Sequence, residues 1–115
     1  MVSKWEIYLC CLDPTVGSEQ KGTRPVLVVS TNATNHNLPV STVLPLSALK
    51  PGDRIYPTEV LLEADITGLL KLSVAMVQQI RTVSHNRLTT LVGKVQDERA
   101  QKMVIEACRN YFDIA

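Results

Sequence analysis

The sequence predicts a small, mainly β barrel capped by one C-terminal helix, and three observations predict it. Short runs rich in β-branched and other apolar residues recur from Trp5 to Val83, each bounded by turn residues. Helical spacing of apolar residues is clear only near the C-terminus. Strands do not alternate with helices, and no glycine-rich phosphate-binding fingerprint is present.

Taken in order, Trp5 to Leu12 reads as a strand. Asp13-Pro14, Gly17 and Gly22 then break the pattern into a long exposed loop. Pro25 heads the run Val26-Leu27-Val28-Val29, so a buried strand begins at Arg24 or Pro25, where a missing donor is tolerated. The polar stretch Thr31 to Asn37 is turn-prone, and Val40 to Leu46 returns to strand character, with Ser47 just past its end. Lys50-Pro51-Gly52-Asp53 is a turn, and Ile55, Glu59, Val60 and Leu61 suggest another strand. Val74 to Val83 reads as one further strand, with a short helical turn around Arg87-Leu88. Ala100, Met103, Val104, Ala107, Cys108, Tyr111 and Phe112 form the apolar stripe of the terminal helix, and Asp97 and Glu98 favour the positive end of its dipole.

A chain of 115 residues, 45% apolar and 20% charged, fits one globular domain over residues 1–115. A formal net charge of +1 excludes a broad basic footprint, so any nucleic-acid binding must come from a local cluster of cations. Three cysteines, Cys10, Cys11 and Cys108, give neither an even disulfide set nor metal-ligand spacing, which points to a reducing cytoplasm. Cys10 and Cys11 are expected on opposite faces of their strand. The sequence reads as neither exported nor membrane-inserted, and it contains no repeat or low-complexity tract.

Asp13-Pro14, then Gly17-Ser18-Glu19-Gln20, then Gly22-Thr23-Arg24-Pro25-Val26-Leu27-Val28 resembles the signature of the MazF/PemK family of toxin endoribonucleases. Gln79-Ile80-Arg81-Thr82-Val83 and Arg87-Leu88 resemble that family's later strand and following turn. The resemblance implies an SH3-like barrel with added helices, a homodimer, and metal-independent, cofactor-free cleavage of single-stranded RNA at short sequences. It also implies inhibition by a cognate, partly disordered MazE-like antitoxin. Arg24 matches the family's catalytic arginine, and Ser47 falls where the family commonly carries a catalytic threonine. Ser18, Glu19, Gln20 and Gln79 match positions near the RNA groove. Two departures stand out: Lys4-Trp5-Glu6 replaces an Arg-Gly-Asp-like triplet, and serine at 47 lacks the methyl that stiffens threonine.

The chemistry asked of these residues is defined. When a ribose hydroxyl attacks its own phosphate, negative charge grows on the nonbridging oxygens, and a guanidinium presents forked, permanently charged donors to them. Arg24 suits that role, with Ser47 as a second donor rather than a nucleophile. Proton abstraction would fall to Glu19, or to His36 or His85, of which two exposed loop histidines without a role is the favoured reading. Lys21, Arg24, Lys50, Arg54, Arg81 and Arg87 are expected to contribute to one basic groove, giving salt-dependent binding.

Base reading is assigned to Gln78, Gln79, Glu19 and Asn32, since amides and carboxylates pair with exposed base edges. For Gln79, an amide satisfying backbone groups is an equal alternative. Trp5 and Tyr8 are expected in the core rather than stacked on bases, and the apolar helix face in core or dimer contact. A cysteine–histidine pair assembled by the fold stays open. Two other functions compete: a toxin of the same fold that poisons a protein such as DNA gyrase, and a barrel acting only as a binding module.

Overall fold

The run Val26-Leu27-Val28 is continuously apolar because its strand is buried on both faces. In the computed structural model, which describes residues 1–115, Leu27 packs into the larger of two core clusters, while Val26 and Val28 pack into the smaller. That strand, β2 (Thr23–Val28), begins two residues ahead of Pro25 and lies antiparallel between β1 (Glu6–Cys11) and β3 (Val40–Ala48). Ile7 and Cys10 of β1 are both fully buried at odd spacing because β1 too is covered on both faces: Ile7, opposite Leu27, packs into the larger cluster and Cys10 into the smaller. Cys11 is exposed, opposite in face to Cys10 as expected.

The remaining strands are β4 (Glu59–Leu62), β5 (Ser73–Met76), β6 (Arg81–Ser84) and β7 (Leu88–Lys94). The sheet runs β4-β5-β3-β2-β1-β7, with β6 also on β3. It curls around the core, and its end strands β4 and β7 are not paired with each other. This is the mainly β architecture the sequence predicts, with short helical turns and one terminal helix.

Several local readings need correction. The single strand expected over Val74 to Val83 is two, β5 and β6, set end to end along β3 and separated by a 3-10 turn at Val77–Gln79. One long β3 serves both, and the turn lifts Gln78 and Gln79 out of the ladder. Ser47 lies within β3, paired with Val74, rather than beyond the strand. The polar stretch after β2 contains a one-turn helix, α1 (Asn32–Asn35). Strand β7 and the short helix α2 (Ala64–Thr67) have no counterpart in the sequence reading. Gly93 of β7 is where α2 touches the sheet, and a Cβ there would meet the Thr67 carbonyl at 2.2 Å.

Helix α3 (Glu98–Phe112) starts at Asp97, whose Oδ1 accepts the Ala100 N–H at 2.8 Å, and buries Ala100, Val104 and Ala107 over the sheet. Met103, Tyr111 and Phe112 remain exposed. No helix is long and apolar enough to cross a membrane.

Ahead of β1, Trp5 has φ +75°, a left-handed conformation that costs a non-glycine residue about 1–2 kcal/mol. Two main-chain bonds of 2.8 Å, Trp5 N–H to Val28 and Val95 N–H to Trp5, hold it there, and the indole packs on the core. The departure from Arg-Gly-Asp thus keeps the backbone bend that glycine would adopt freely. Tyr8 is half-buried against the smaller cluster; burial, reinforced by its hydrogen bond to Glu6, pushes its phenol up to about 12.

Candidate active site

The loop between β1 and β2 is tied off at its neck and held from outside by three side chains. Leu12 N–H donates to the Gly22 carbonyl at 3.0 Å, and Asp13 Oδ1 accepts the Gly22 N–H at 3.1 Å. Gly22 has φ +79°, which lets the chain turn back into β2. Arg87 donates to the carbonyls of Cys11 at 2.9 Å and Asp13 at 2.5 Å, and Arg81 to that of Leu12 at 2.9 Å. Gln79 Nε2 donates to the Ser18 carbonyl at 3.0 Å while its Oε1 accepts the Gln20 N–H at 3.1 Å. Within the loop, Glu19 Oε1 accepts the Val16 N–H at 2.6 Å.

Arg24 stands at the end of this loop, half-buried on β2, and its Nε donates to the Lys21 carbonyl at 2.9 Å. That bond uses the inner edge of the guanidinium and leaves the outer, forked edge for a ligand. Val26 pairs with Pro45 across β2 and β3. The β2–β3 ladder ends at that pair, with Arg24 two residues before it on β2 and Ser47 two residues beyond it on β3.

The two residues line adjoining hollows that meet at Ala48. The Arg24 hollow, about 800 Å³, also includes Lys21 and Lys71. The Ser47 hollow, about 280 Å³, includes Arg54 and Tyr56, with the Arg54 guanidinium 5.3 Å from the Tyr56 ring centre. Lys71, between the exposed Leu70 and Leu72, carried no signal in the sequence that would have brought it beside Arg24.

Beside these lies a polar cavity of about 320 Å³ walled by Glu19, Gln20, Gln78, Gln79 and Arg81, with Pro14, Pro45 and Ile80 as apolar surface. Gln20 Oε1 is buried in the wall without a hydrogen-bond partner. The Gln78 amide is engaged on both atoms, accepting from Thr58 Oγ1 and donating to Glu59 Oε2, each at 2.9 Å. Of the expected base readers, Asn32 is elsewhere: its Oδ1 accepts the Lys4 N–H at 2.7 Å and Asn35 Nδ2 at 3.2 Å. Of the expected cations, Lys50 is exposed on its turn, and Arg87 serves the loop neck.

The histidines sit apart from this site. Ser41 is buried and donates its only hydroxyl proton to Asn35 Oδ1 at 2.7 Å, so His85 Nε2, 2.8 Å from Ser41 Oγ, is the donor in that pair. Six residues of extended strand, about 20 Å, separate Ser41 from Ser47. His36 Nε2 pairs with Ser3 Oγ at 3.2 Å. The double variant His36→Ala, His85→Ala is therefore expected to keep the activity of this site within about twofold of the parent, and a larger fall in kcat with the fold intact would return a histidine to the chemistry. Cys10 is buried, which raises its thiol pKa, and its Sγ faces the Cys11 carbonyl at 3.8 Å. No group of three His, Cys, Asp or Glu side chains is arranged to hold a metal.

The toxin MazF-mt6 of Mycobacterium tuberculosis superposes with a TM-score of 0.77 at 25% identity, covering 96% of this chain and 98% of that one. Endoribonuclease EndoA of Bacillus subtilis is 35% identical over 103 residues, 90% of this chain and 88% of its own length. Endoribonuclease MazF9 of M. tuberculosis is 37% identical over 119 residues, 99% of this chain and 98% of its own. Residues 3–108 match the model of the PemK-like, MazF-like toxin of type II toxin-antitoxin system, and the chain belongs to that family.

Proposed function

We propose that this protein is the toxin of a type II pair and acts as a sequence-specific, metal-independent endoribonuclease on single-stranded RNA. It works in the cytoplasm as a homodimer and is silenced by a MazE-like antitoxin. One observation carries the reading: the Arg24 guanidinium is fixed by its inner edge to Lys21, with its phosphate-matching edge free in a hollow that adjoins that of Ser47 at Ala48.

In this reading the ribose 2′-oxygen attacks the adjacent phosphorus and the 5′-oxygen leaves, giving a 2′,3′-cyclic phosphate and a 5′-hydroxyl. The 2′-hydroxyl proton passes to water or to Glu19, and the departing oxygen takes a proton from solvent. Arg24 and Ser47 donate hydrogen bonds to the nonbridging oxygens as their charge grows. A pKa above about 12 suits arginine to this electrostatic work and not to proton abstraction near neutrality.

RNA would lie between the loop residues Ser18, Glu19, Gln20 and Lys21 and the opposite wall of Gln78, Gln79 and Arg81, with a base at the polar cavity. Exposed Met103, Tyr111, Phe112 and Ile114 offer apolar surface to the second copy. An acidic, flexible antitoxin segment crossing Lys21, Arg24 and Lys71 would compete directly with RNA.

The test is incubation with mixed-sequence RNA in the presence of chelator, with the new ends mapped. Cyclic phosphates at a short recurrent sequence support the proposal. Uncut RNA, with growth arrest persisting in Arg24→Ala, would point instead to poisoning of a protein.

A further inference from the structure

The middle of the β1–β2 loop has no apolar anchor, since Val16 to Glu19 are all exposed. Its tie to the rest of the molecule is one side chain. Gln79 takes the Gln20 N–H on Oε1 and gives Nε2 to the Ser18 carbonyl, so a single planar amide grips two main-chain groups two residues apart. One peptide further on, the Lys21 carbonyl accepts Arg24 Nε. Nε lies in the guanidinium plane, and a bond there sets which way the outer edge points.

We infer that Gln79 is a positioning residue, setting the orientation of the Arg24 guanidinium through the main chain of Gln20 and Lys21. The kinetic part of this inference rests on the ribonuclease reading above. Arg81 and Arg87 fasten the loop's first residues and Leu12–Gly22 closes its neck, so the segment that carries Lys21 is fixed at its start, its middle and its end. Removing the middle tie leaves the Lys21–Gly22 peptide held only from its far side, by Gly22 N–H on Asp13 Oδ1 and the Gly22 carbonyl on Leu12 N–H, and leaves the barrel untouched, because Gln79 sits in a turn outside the strand ladders.

A base-reading role for Gln79 predicts something different. Loss of a reader weakens RNA binding and relaxes the sequence cut. Loss of a positioning residue lowers turnover at constant binding and constant sequence preference, since a shift of about 1 Å in a catalytic group can reduce rate by about a hundredfold.

The experiment compares Gln79→Met, which keeps length without an amide, and Gln79→Glu, which keeps the acceptor for Gln20 N–H but not the donor to Ser18. Each is made in the parent and in Arg24→Lys, whose side chain has no Nε donor in a guanidinium plane. In parent background, Gln79→Met is expected to lower kcat about 10- to 100-fold with KM within about threefold and the cut sequence unchanged, Gln79→Glu falling between. In Arg24→Lys background the further loss shrinks to about threefold or less, because the link it acts through is gone.

Trypsin nicking after Lys21, read with the thermal midpoint held near the parent's, is expected to quicken several-fold in Gln79→Met. A loss confined to KM, a relaxed cut sequence, or equal losses in both backgrounds would overturn the inference. If the parent itself fails to cut RNA, the ribonuclease reading falls. The nicking rate then decides alone, unchanged nicking removing the tie and faster nicking upholding it.

Discussion

Arg24→Ala is expected to lower kcat for RNA cleavage about a thousandfold or more while shifting the thermal midpoint by only a degree or two. The large kinetic effect follows from what the side chain does in the reaction as proposed. It meets charge that exists only in the transition state, from a scaffold that needs no rearrangement, so its loss is not recovered by tighter substrate binding. The small stability effect follows from its surroundings: Arg24 is half-buried, and its one internal bond is to a loop carbonyl that water can reach. Arg24→Lys should recover little, since an ammonium restores charge without the fork or the Lys21 bond. Steady-state cleavage of a short RNA in chelator, beside a melting curve, checks both halves. Retention of a tenth or more of the parent rate in the alanine variant would remove Arg24 from the chemistry.

Ser47→Ala is expected to lose about a hundredfold in kcat, the usual effect of deleting one preorganised donor. The informative partner is Ser47→Thr. Position 47 lies inside β3 and is paired with Val74, so a β-branched residue suits its backbone. The added methyl restricts χ1 and should hold or raise kcat by up to a few-fold. Alanine matching serine would show that Ser47 Oγ donates nothing to the transition state. Threonine losing as much as alanine would show that the hollow shared with Tyr56 and Met76 is too tight for the methyl.

The strand core and terminal helix were legible because burial writes itself into composition. Val26-Leu27-Val28 had to be apolar throughout to fill two clusters, and Ala100, Val104 and Ala107 had to recur at helical spacing to meet one. Strand β7 buries no residue fully, so Thr89, Thr90 and Leu91 gave no alternation to read. The break between β5 and β6 is set by the length of β3, a tertiary fact absent from Val77-Gln78-Gln79.

Arg24 and Ser47 are proposed from residue type and motif, whereas the adjoining of their hollows at Ala48 was not legible in the sequence. The roles of Gln79, Arg81 and Arg87 were hidden for a simpler reason. Their partners are main-chain groups of residues 11 to 20, and a carbonyl has no identity in a sequence. Lys71 comes beside Arg24 only because the segment after α2 folds back along β3 and β2.

The way that loop is fastened separates shape from charge. Arg81, Arg87 and Gln79 all bond to uncharged carbonyls or an amide, so no ion pair with a carboxylate holds the loop in place. In the proposed reaction RNA would meet Lys21, Arg24 and Lys71 as a polyanion, and its affinity would fall by about 0.7 of a logarithm per tenfold rise in salt for each phosphate neutralised. Added salt should therefore act as a dial on occupancy alone, raising KM steeply while kcat stays nearly level. Parallel decline of both across the same titration would show that the loop itself loosens as counterions accumulate.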